Sequence, residues 1–412
     1  MATLDILSFG CRLNIYESEI MRGLAEQAGL TDAVIVNTCA VTAEAERQAR
    51  QAIRKAHRDR PQTPIVVTGC AAQLHPDRFA AMPEVARVLG NGEKLQQAAW
   101  RAADRIMVGD AAAPAETAGH LIDGFAGNTR GFLQLQQGCD HRCTFCVIPL
   151  ARGPSRSVPL GAAVAAARNL VAHGHREIVL TGVDLTAYGA DLPGQPRLGQ
   201  AVRRLLALLP ELDRLRLSSL DPAEIDEDLW QLIATEPRLM PHLHLSVQAG
   251  DDLVLKRMKR RHSRADVLRA AERARTLRPD IVLGADLIAG FPTETDEQFE
   301  RSLALIDEAG LTWLHVFPFS ARPETPAARM PPVPGPVIKQ RAARLRACGE
   351  AAQHRFLQAQ LGRRVEILME RGGIGRTAQH APVRPDRPLP AGLLVPVIIT
   401  GLDGTVLRGA SA

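Results

Sequence analysis

Apolar residues in the first hundred positions fall into short runs separated by longer amphipathic stretches. Thr3–Phe9, Ala33–Val36 and Ile65–Thr68 are brief apolar runs, the last set between Pro64 and Gly69. Ile15–Ala28 and Ala43–Arg58 instead carry apolar residues at helical spacing. Short apolar runs bounded by Gly and Pro predict strands, and a 3.6-residue period predicts helices. Strand alternating with helix predicts a parallel sheet with right-handed crossovers, an α/β fold.

The alternation resumes at Arg130. Phe132–Gln136, Glu177–Leu180, Arg214–Leu217, His242–Val247, Ile281–Leu283 and Leu314–Phe317 are the expected strands of this second series. A series of that length predicts an open or closed (β/α) barrel, whose site gathers at the carboxyl ends of its strands. Between the two series, 110–127 is rich in Ala, Gly and Pro and reads as a linker. Proline-rich Met330–Pro336 precedes a last long helix, Ile338–Leu361. Gly362–Ala412 has the Val/Ile/Leu runs and Gly/Pro turns of a small β module, with seven Arg against four acidic residues.

The length of 412 residues suits two to four domains, at roughly 100–200 residues each. No run approaches the ~18 apolar residues of a membrane span, and there is no solenoid-type repeat. A net charge of +5 permits a polyanionic partner without requiring one. Aromatics are only 4%, so nucleic-acid binding cannot lean heavily on base stacking.

Cysteine placement changes the picture. Cys139-x3-Cys143-x2-Cys146 follows the first strand of the second series. Such a loop can aim three thiolates at three corners of a cubic iron–sulfur cluster. Without a fourth cysteine nearby, one iron stays open to bind something else. A zinc site is the alternative, with His141 as fourth ligand, although His141 is only two residues from each flanking cysteine. Disulfides fit poorly: seven cysteines is an odd number, and the N-terminus has no basic segment followed by an apolar core. A cytoplasmic setting with reduced thiols is expected. Cys11, Cys39 and Cys70 follow the three strands of the first series. In a parallel sheet their carboxyl ends share one edge, where open α/β sheets bind ligands. One buried cysteine after a strand is ordinary core filler; three in equivalent places predict a second three-thiolate cluster. Cys348 stands apart in a helical stretch, as plain core or surface.

The cysteine loop, with Phe145 before its last cysteine, resembles the radical S-adenosylmethionine signature. Together with Cys11, Cys39 and Cys70 the chain resembles the methylthiotransferases over nearly its whole length. The resemblance implies an N-terminal cluster domain (1–109), a linker (110–127), a radical barrel (128–355) and a C-terminal β-barrel of TRAM type (358–412). Gly10-Cys11-Arg12-Leu13-Asn14, Asn37-Thr38-Cys39-Ala40-Val41-Thr42, Leu217-Ser218-Ser219-Leu220-Asp221-Pro222 and His315-Val316-Phe317-Pro318-Phe319-Ser320 resemble the branch that modifies N6-threonylcarbamoyladenosine at tRNA position 37. The isopentenyl-adenosine branch typically has Gln-Met after the first cysteine and the ribosomal-protein branch Pro-Lys. Two departures stand out. The Cys11–Cys39 interval is short, as if an edge strand after Gly29-Leu30 were missing. The C-terminal module has no aromatic residue after Phe356, so any RNA contact there would come from arginines and backbone.

The resemblance also implies two [4Fe–4S] clusters and S-adenosylmethionine. Cys139, Cys143 and Cys146 would hold the cluster whose open iron takes the amino and carboxylate groups of S-adenosylmethionine. Cys11, Cys39 and Cys70 would hold a second cluster presenting a methylated sulfur to C2 of the adenine. Phe145 would pack near the adenine of the cofactor, and Thr181, Gly182, Val183 and Asp184 would line its methionine end. Gln248 and the Gly284-Ala285-Asp286 turn would face the nucleoside. Arg152 and Arg156, past the cluster loop, would meet an anionic substrate at the barrel mouth. The basic run containing Lys256, Arg257, Lys259 and Arg260 is either a phosphate or carboxylate contact or a solvated helix face. Implied partners are the tRNA anticodon loop, a flavodoxin- or ferredoxin-type electron donor and a sulfur donor, with no membrane. The competing readings are the same chemistry on isopentenyl-adenosine tRNA or a ribosomal protein, a non-catalytic iron–sulfur RNA-binding protein, and a zinc-stabilised scaffold.

Overall fold

Apolar β-branched runs flanked by amphipathic helices build the first layer. The computed structural model describes residues 4–113, 124–125 and 129–411; most of the expected linker (114–123 and 126–127) lies outside them. Five parallel strands, β1 (Leu4–Ser8), β2 (Ala33–Thr38), β3 (Ile65–Gly69), β4 (Arg87–Leu89) and β5 (Ile106–Met107), form a sheet in simple sequential order. β1 pairs directly with β2, so β1 is the edge strand on the side where the Cys11–Cys39 interval is short. β2 and β3 are buried on both faces, which explains their continuous apolar character. Helices α1 (Arg12–Gln27) and α2 (Ala43–Asp59) follow the first two strands. α1 begins three residues earlier than its apolar period suggests, with Cys11 at its N-cap.

The second series forms a partial barrel of parallel strands. β6 (Gly131–Gln134), β9 (Glu177–Thr181) and β10 (Arg214–Leu217) make one sheet. β11 (Ser219–Leu220), β12 (His242–Gln248), β13 (Val282–Ala289) and β14 (Leu311–Pro318) make another. A short ladder, β7 (Gln136–Gln137) with β8 (Arg156–Ser157), frames the cysteine loop. β13 runs far beyond the expected Ile281–Leu283, so Asp286 lies inside a strand and not on a turn. The partial barrel is open between β6 and β14, and α1 of the first layer packs along β6. Leu13, Tyr16 and Ile20 of α1 join the same core as Phe132, Leu180 and Leu245 of the barrel.

The long helix Gly335–Gln358 crosses β14 and leads to a closed barrel of β15 (Arg364–Met369), β16 (Gly375–Thr377), β17 (Pro382–Pro385), β18 (Leu394–Asp403) and β19 (Val406–Ser411). That barrel docks by Trp313 Nε1 donating to Gln379 O (3.1 Å) and Arg214 donating to Glu366 O (2.9 Å). Cys348 is half-buried in the long helix against the main core. No helix among the described residues is long and apolar enough to cross a membrane.

Candidate active site

Both cysteine triads open onto one cavity of about 400 Å³, between the first sheet and the carboxyl ends of the barrel strands. Its wall includes Cys11, Cys39 and Cys70 from one side and Cys139, Cys143 and Cys146 from the other. Cys39 and Cys70 sit directly after β2 and β3, and Cys11 follows β1 across a turn. That turn depends on Gly10, which has φ +93°; a Cβ there would lie 2.7 Å from the Cys39 sulfur. Gly69 has φ +95°, and a Cβ would lie 2.3 Å from Thr38 O. Side chains without a Cβ therefore let these strand ends approach closely enough for their thiols to converge.

A polar frame holds the first triad. Asn14 donates to Phe9 O (2.6 Å) and Thr38 O (3.1 Å), and Asn37 returns a bond to Asn14 O (2.9 Å). Asn91 reaches the Cys70 sulfur (3.8 Å) and Ala151 O (2.7 Å). Ala151 belongs to the short helix Ile148–Arg152 that follows the cysteine loop. Arg152 from that helix is buried and donates to both oxygens of Glu17 (2.7 and 2.9 Å) and to Asn14 Oδ1 (2.7 Å). Lys94 completes the network on Glu17 at 2.7 Å. Burial pushes the Glu17 pKa up, but Arg152 and Lys94 outweigh it and hold the carboxyl at about 2. Two cations around one carboxylate leave a positive charge beside Cys70 and Cys11, suited to an anionic thiolate-bound cluster.

The second triad is held just as locally. Gln136 Oε1 accepts from the backbone N–H of Val183 (3.0 Å) and Asp184 (2.8 Å), while its Nε2 donates to Gly138 O (2.8 Å). One side chain thus ties the Thr181-Gly182-Val183-Asp184 turn to the start of the cysteine loop. Thr144 anchors the middle of the loop to Met258 O and Arg257 O. Asp184 lies 3.7 Å from the Cys139 sulfur and 2.8 Å from His141 Nε2. Arg260 reaches Cys143 Sγ (3.4 Å), Asp221 (2.7 Å) and Ser246 O (2.9 Å). Phe145 stands edge-on to Phe291, which packs on Phe319. Burial pushes the Cys39 and Cys146 thiols up to about 12, and a bound metal would displace their protons. Three clustered soft donors on each side fit iron–sulfur chemistry.

Two families of known proteins match the chain. Residues 133–331 match the Radical SAM superfamily, and residues 3–90 match Uncharacterized protein family UPF0004. Threonylcarbamoyladenosine tRNA methylthiotransferase MtaB of Rickettsia prowazekii is 52% identical over 97% of this chain and 95% of its own. The tRNA-2-methylthio-N(6)-dimethylallyladenosine synthase of Cereibacter sphaeroides is 38% identical over 98% of each. The chain belongs to the radical S-adenosylmethionine methylthiotransferase family. Among solved structures, the radical S-adenosylmethionine methyltransferase TsrM of Kitasatospora setae shares the fold. Its TM-score is 0.55 at 16% identity, covering 80% of this chain and 77% of that one. The methylthiotransferase therefore uses a [4Fe–4S] cluster and S-adenosylmethionine.

Several sequence expectations for the methylthiotransferase need correction. Arg152 lines the cavity, but its guanidinium is bonded to Glu17 and Asn14 inside the protein and does not wait at a barrel mouth for substrate. Arg156 is turned to backbone, donating to Arg152 O (2.9 Å) and Ala113 O (3.5 Å). The basic run splits: Arg260 lines the cavity, Arg257 donates to Thr293 O, and Lys256 and Lys259 are exposed outside it. Phe145, Thr181, Gly182, Val183, Asp184, Gln248 and Asp286 all line the cavity. Sequence reasoning missed Gln136, Asn14, Glu17, Lys94 and Asn91. The usable signal was their position, one to six residues from a cysteine or a strand end, for Asn14, Glu17 and Gln136; Asn91 and Lys94 carried none.

Proposed function

We propose that this methylthiotransferase adds a methylthio group to C2 of N6-threonylcarbamoyladenosine at position 37 of tRNA. One observation carries the reading: two cysteine triads from different layers open onto a single cavity. A reaction that draws on both must occur there. On this reading Cys139, Cys143 and Cys146 hold the cluster that binds S-adenosylmethionine, and Cys11, Cys39 and Cys70 hold a second one. When bound and reduced, these groups would supply a 5′-deoxyadenosyl radical from one S-adenosylmethionine and a sulfur carrying the methyl group donated by another.

The chain's own residues do the positioning. Gln136 fixes the Gly182–Asp184 turn against the cysteine loop, and Arg260 neutralises charge at Cys143. Phe145, Phe291 and Phe319 form an apolar wall that keeps water from a reactive radical. Arg152 puts positive charge beside the first triad. Domains at 1–109, 128–355 and 358–412, a cytoplasmic setting, a flavodoxin- or ferredoxin-type electron donor and a separate sulfur donor complete the proposal.

The experiment is anaerobic reconstitution followed by assay. About eight irons per chain, or ~4 in each of two clusters, are expected, with 5′-deoxyadenosine formed under dithionite. A methylthio mass increment is expected on threonylcarbamoyladenosine in an anticodon stem–loop RNA. Zinc in place of iron, or iron without cleavage of S-adenosylmethionine, would overturn the enzyme reading. Modification of isopentenyl-adenosine RNA in preference would move the chain to the other branch, whose named member is 38% identical.

A further inference from the structure

Three polar side chains on neighbouring strands meet where Asp286 reaches the cavity wall, and they make no contact with either cysteine triad. Asp286 of β13 lines the cavity. Its Oδ1 is shared by His244 Nε2 of β12 at 2.9 Å and His315 Nδ1 of β14 at 3.1 Å. No described residue donates to Asp286 Oδ2. The His315 side chain is 59% exposed, which leaves its Nε2 to a ligand. The fourth group is Arg12, the first residue of α1, which fills the open flank of the barrel. Arg12 is half-buried, sits between cavity-lining Cys11 and Leu13, and is within electrostatic range of Asp286, Glu177, Arg130 and Arg216. It makes no hydrogen bond or ion pair with the described residues. The two arginines that line the cavity are engaged, Arg152 by Glu17 and Arg260 by Asp221.

We propose that Asp286, His244, His315 and Arg12 form a subsite for the N6 substituent of the target adenosine, selecting a ureido-linked amino acid over a hydrocarbon. Asp286 Oδ2 accepts from an N–H or hydroxyl of the substituent, His244 holds Asp286 in place, and Arg12 with His315 faces its carboxylate. This rests on the reading above that the substrate is a modified tRNA adenosine. A threonylcarbamoyl group carries N–H donors, a hydroxyl and a carboxylate, and so satisfies every member of the subsite. An isopentenyl group carries none and leaves Asp286 Oδ2, His315 Nε2 and the half-buried Arg12 guanidinium without a ligand partner. Sites built to hydrogen-bond a substrate reject analogues lacking those groups far more strongly than apolar pockets reject extra bulk.

The test uses reconstituted holoenzyme and two anticodon stem–loop RNAs, one with threonylcarbamoyladenosine and one with isopentenyladenosine. Arg12→Gln and His315→Leu are each expected to raise KM for the first RNA about tenfold to hundredfold, the loss of one charge-assisted hydrogen bond. The effect on kcat is expected to be smaller, and the preference between the RNAs should narrow by the same factor. Arg12→Lys and His315→Asn should recover part of it. Iron per chain checks that each variant is folded and loaded. Unchanged KM and preference in both loaded variants would overturn the subsite. So would zinc or manganese held by the holoenzyme beyond its iron and lost in Asp286→Asn, because the three side chains would then be a metal site. Wild-type enzyme that modifies neither RNA would instead overturn the functional reading, and the subsite with it.

Discussion

Glu17→Gln is the most informative single substitution, because Glu17 is the one anion between two buried cations. Lys94 Nζ and Arg152 Nη1 each sit 2.7 Å from its carboxylate, and all three side chains are nearly inaccessible. Removing one partner of a buried ion pair costs about 3–5 kcal/mol, since the other charge stays desolvated. A second route gives a similar figure. The Glu17 carboxyl is held at about 2 against an ordinary 4.5, which is equivalent to about 3 kcal/mol of stability. Because the folded pKa is depressed, that contribution is complete above about pH 4.5 and is lost only as pH falls towards 2. At pH 7.5 the full penalty is therefore expected. Trp100 Nε1 donates to Lys94 O at 3.0 Å, so Trp100, one of three tryptophans, contributes a fluorescence signal from this region. Urea unfolding of anaerobically reconstituted protein should show a midpoint lower by about 1 M or more. Iron loading of the first triad should fall with it. A triple variant with Glu17, Lys94 and Arg152 all replaced by apolar residues should recover much of the midpoint but not the iron. An unchanged midpoint together with full iron in Glu17→Gln would refute the reasoning.

Other outcomes are equally direct. Cys139→Ala, Cys143→Ala or Cys146→Ala should abolish 5′-deoxyadenosine formation, whereas Cys11→Ala, Cys39→Ala or Cys70→Ala should halve the iron and abolish methylthiolation while cleavage persists; loss of cleavage in every variant with correct folding would contradict separate duties for the triads. Gly69→Ala forces a Cβ to 2.3 Å from Thr38 O at φ +95° and costs at least about 1–2 kcal/mol from the backbone conformation alone; iron analysis should find the first triad poorly loaded. Arg384 and Arg387 are exposed on the C-terminal barrel, and replacing both by Ala should reduce the slope of log affinity for RNA against log salt by about 1–2. A salt slope equal to that of wild type would remove these two arginines from the RNA contact.

Much of the site was legible because its cysteines follow apolar runs whose periodicity is clear. Three strand ends in one parallel sheet put Cys11, Cys39 and Cys70 on one edge. β4 and β5 escaped notice because three and two residues are too short to carry a period. β13 was truncated because Gly284 and Asp286 interrupt its apolar run; inside the barrel those positions face His244 and His315, which make a polar residue tolerable. Arg152 was misjudged for a related reason. A charged residue next to a functional loop looks like a substrate contact, and its true partner, Glu17, lies 135 residues away in sequence. Charge pairing across layers has no local signature, so tertiary placement decided which arginines are structural.

The same link has a consequence for how the enzyme matures. Helix Ile148–Arg152 hangs on the cysteine loop at one end and on Glu17, Asn14 and Asn91 of the first layer at the other. On the two-cluster proposal, iron in the loop would hold the segment that carries Arg152, whose charge faces the opposite triad. Filling of the two triads is then expected to be coupled in one direction, the loop first, so that chains with only the first triad filled should be scarce at sub-stoichiometric iron. Chains with only the loop filled, as in the Cys11, Cys39 or Cys70 variants, would be the hazardous ones, able to generate a radical with no sulfur ready to receive it. The Arg152 link shortens the life of that state by presetting the first triad's counter-charge as soon as the loop is filled.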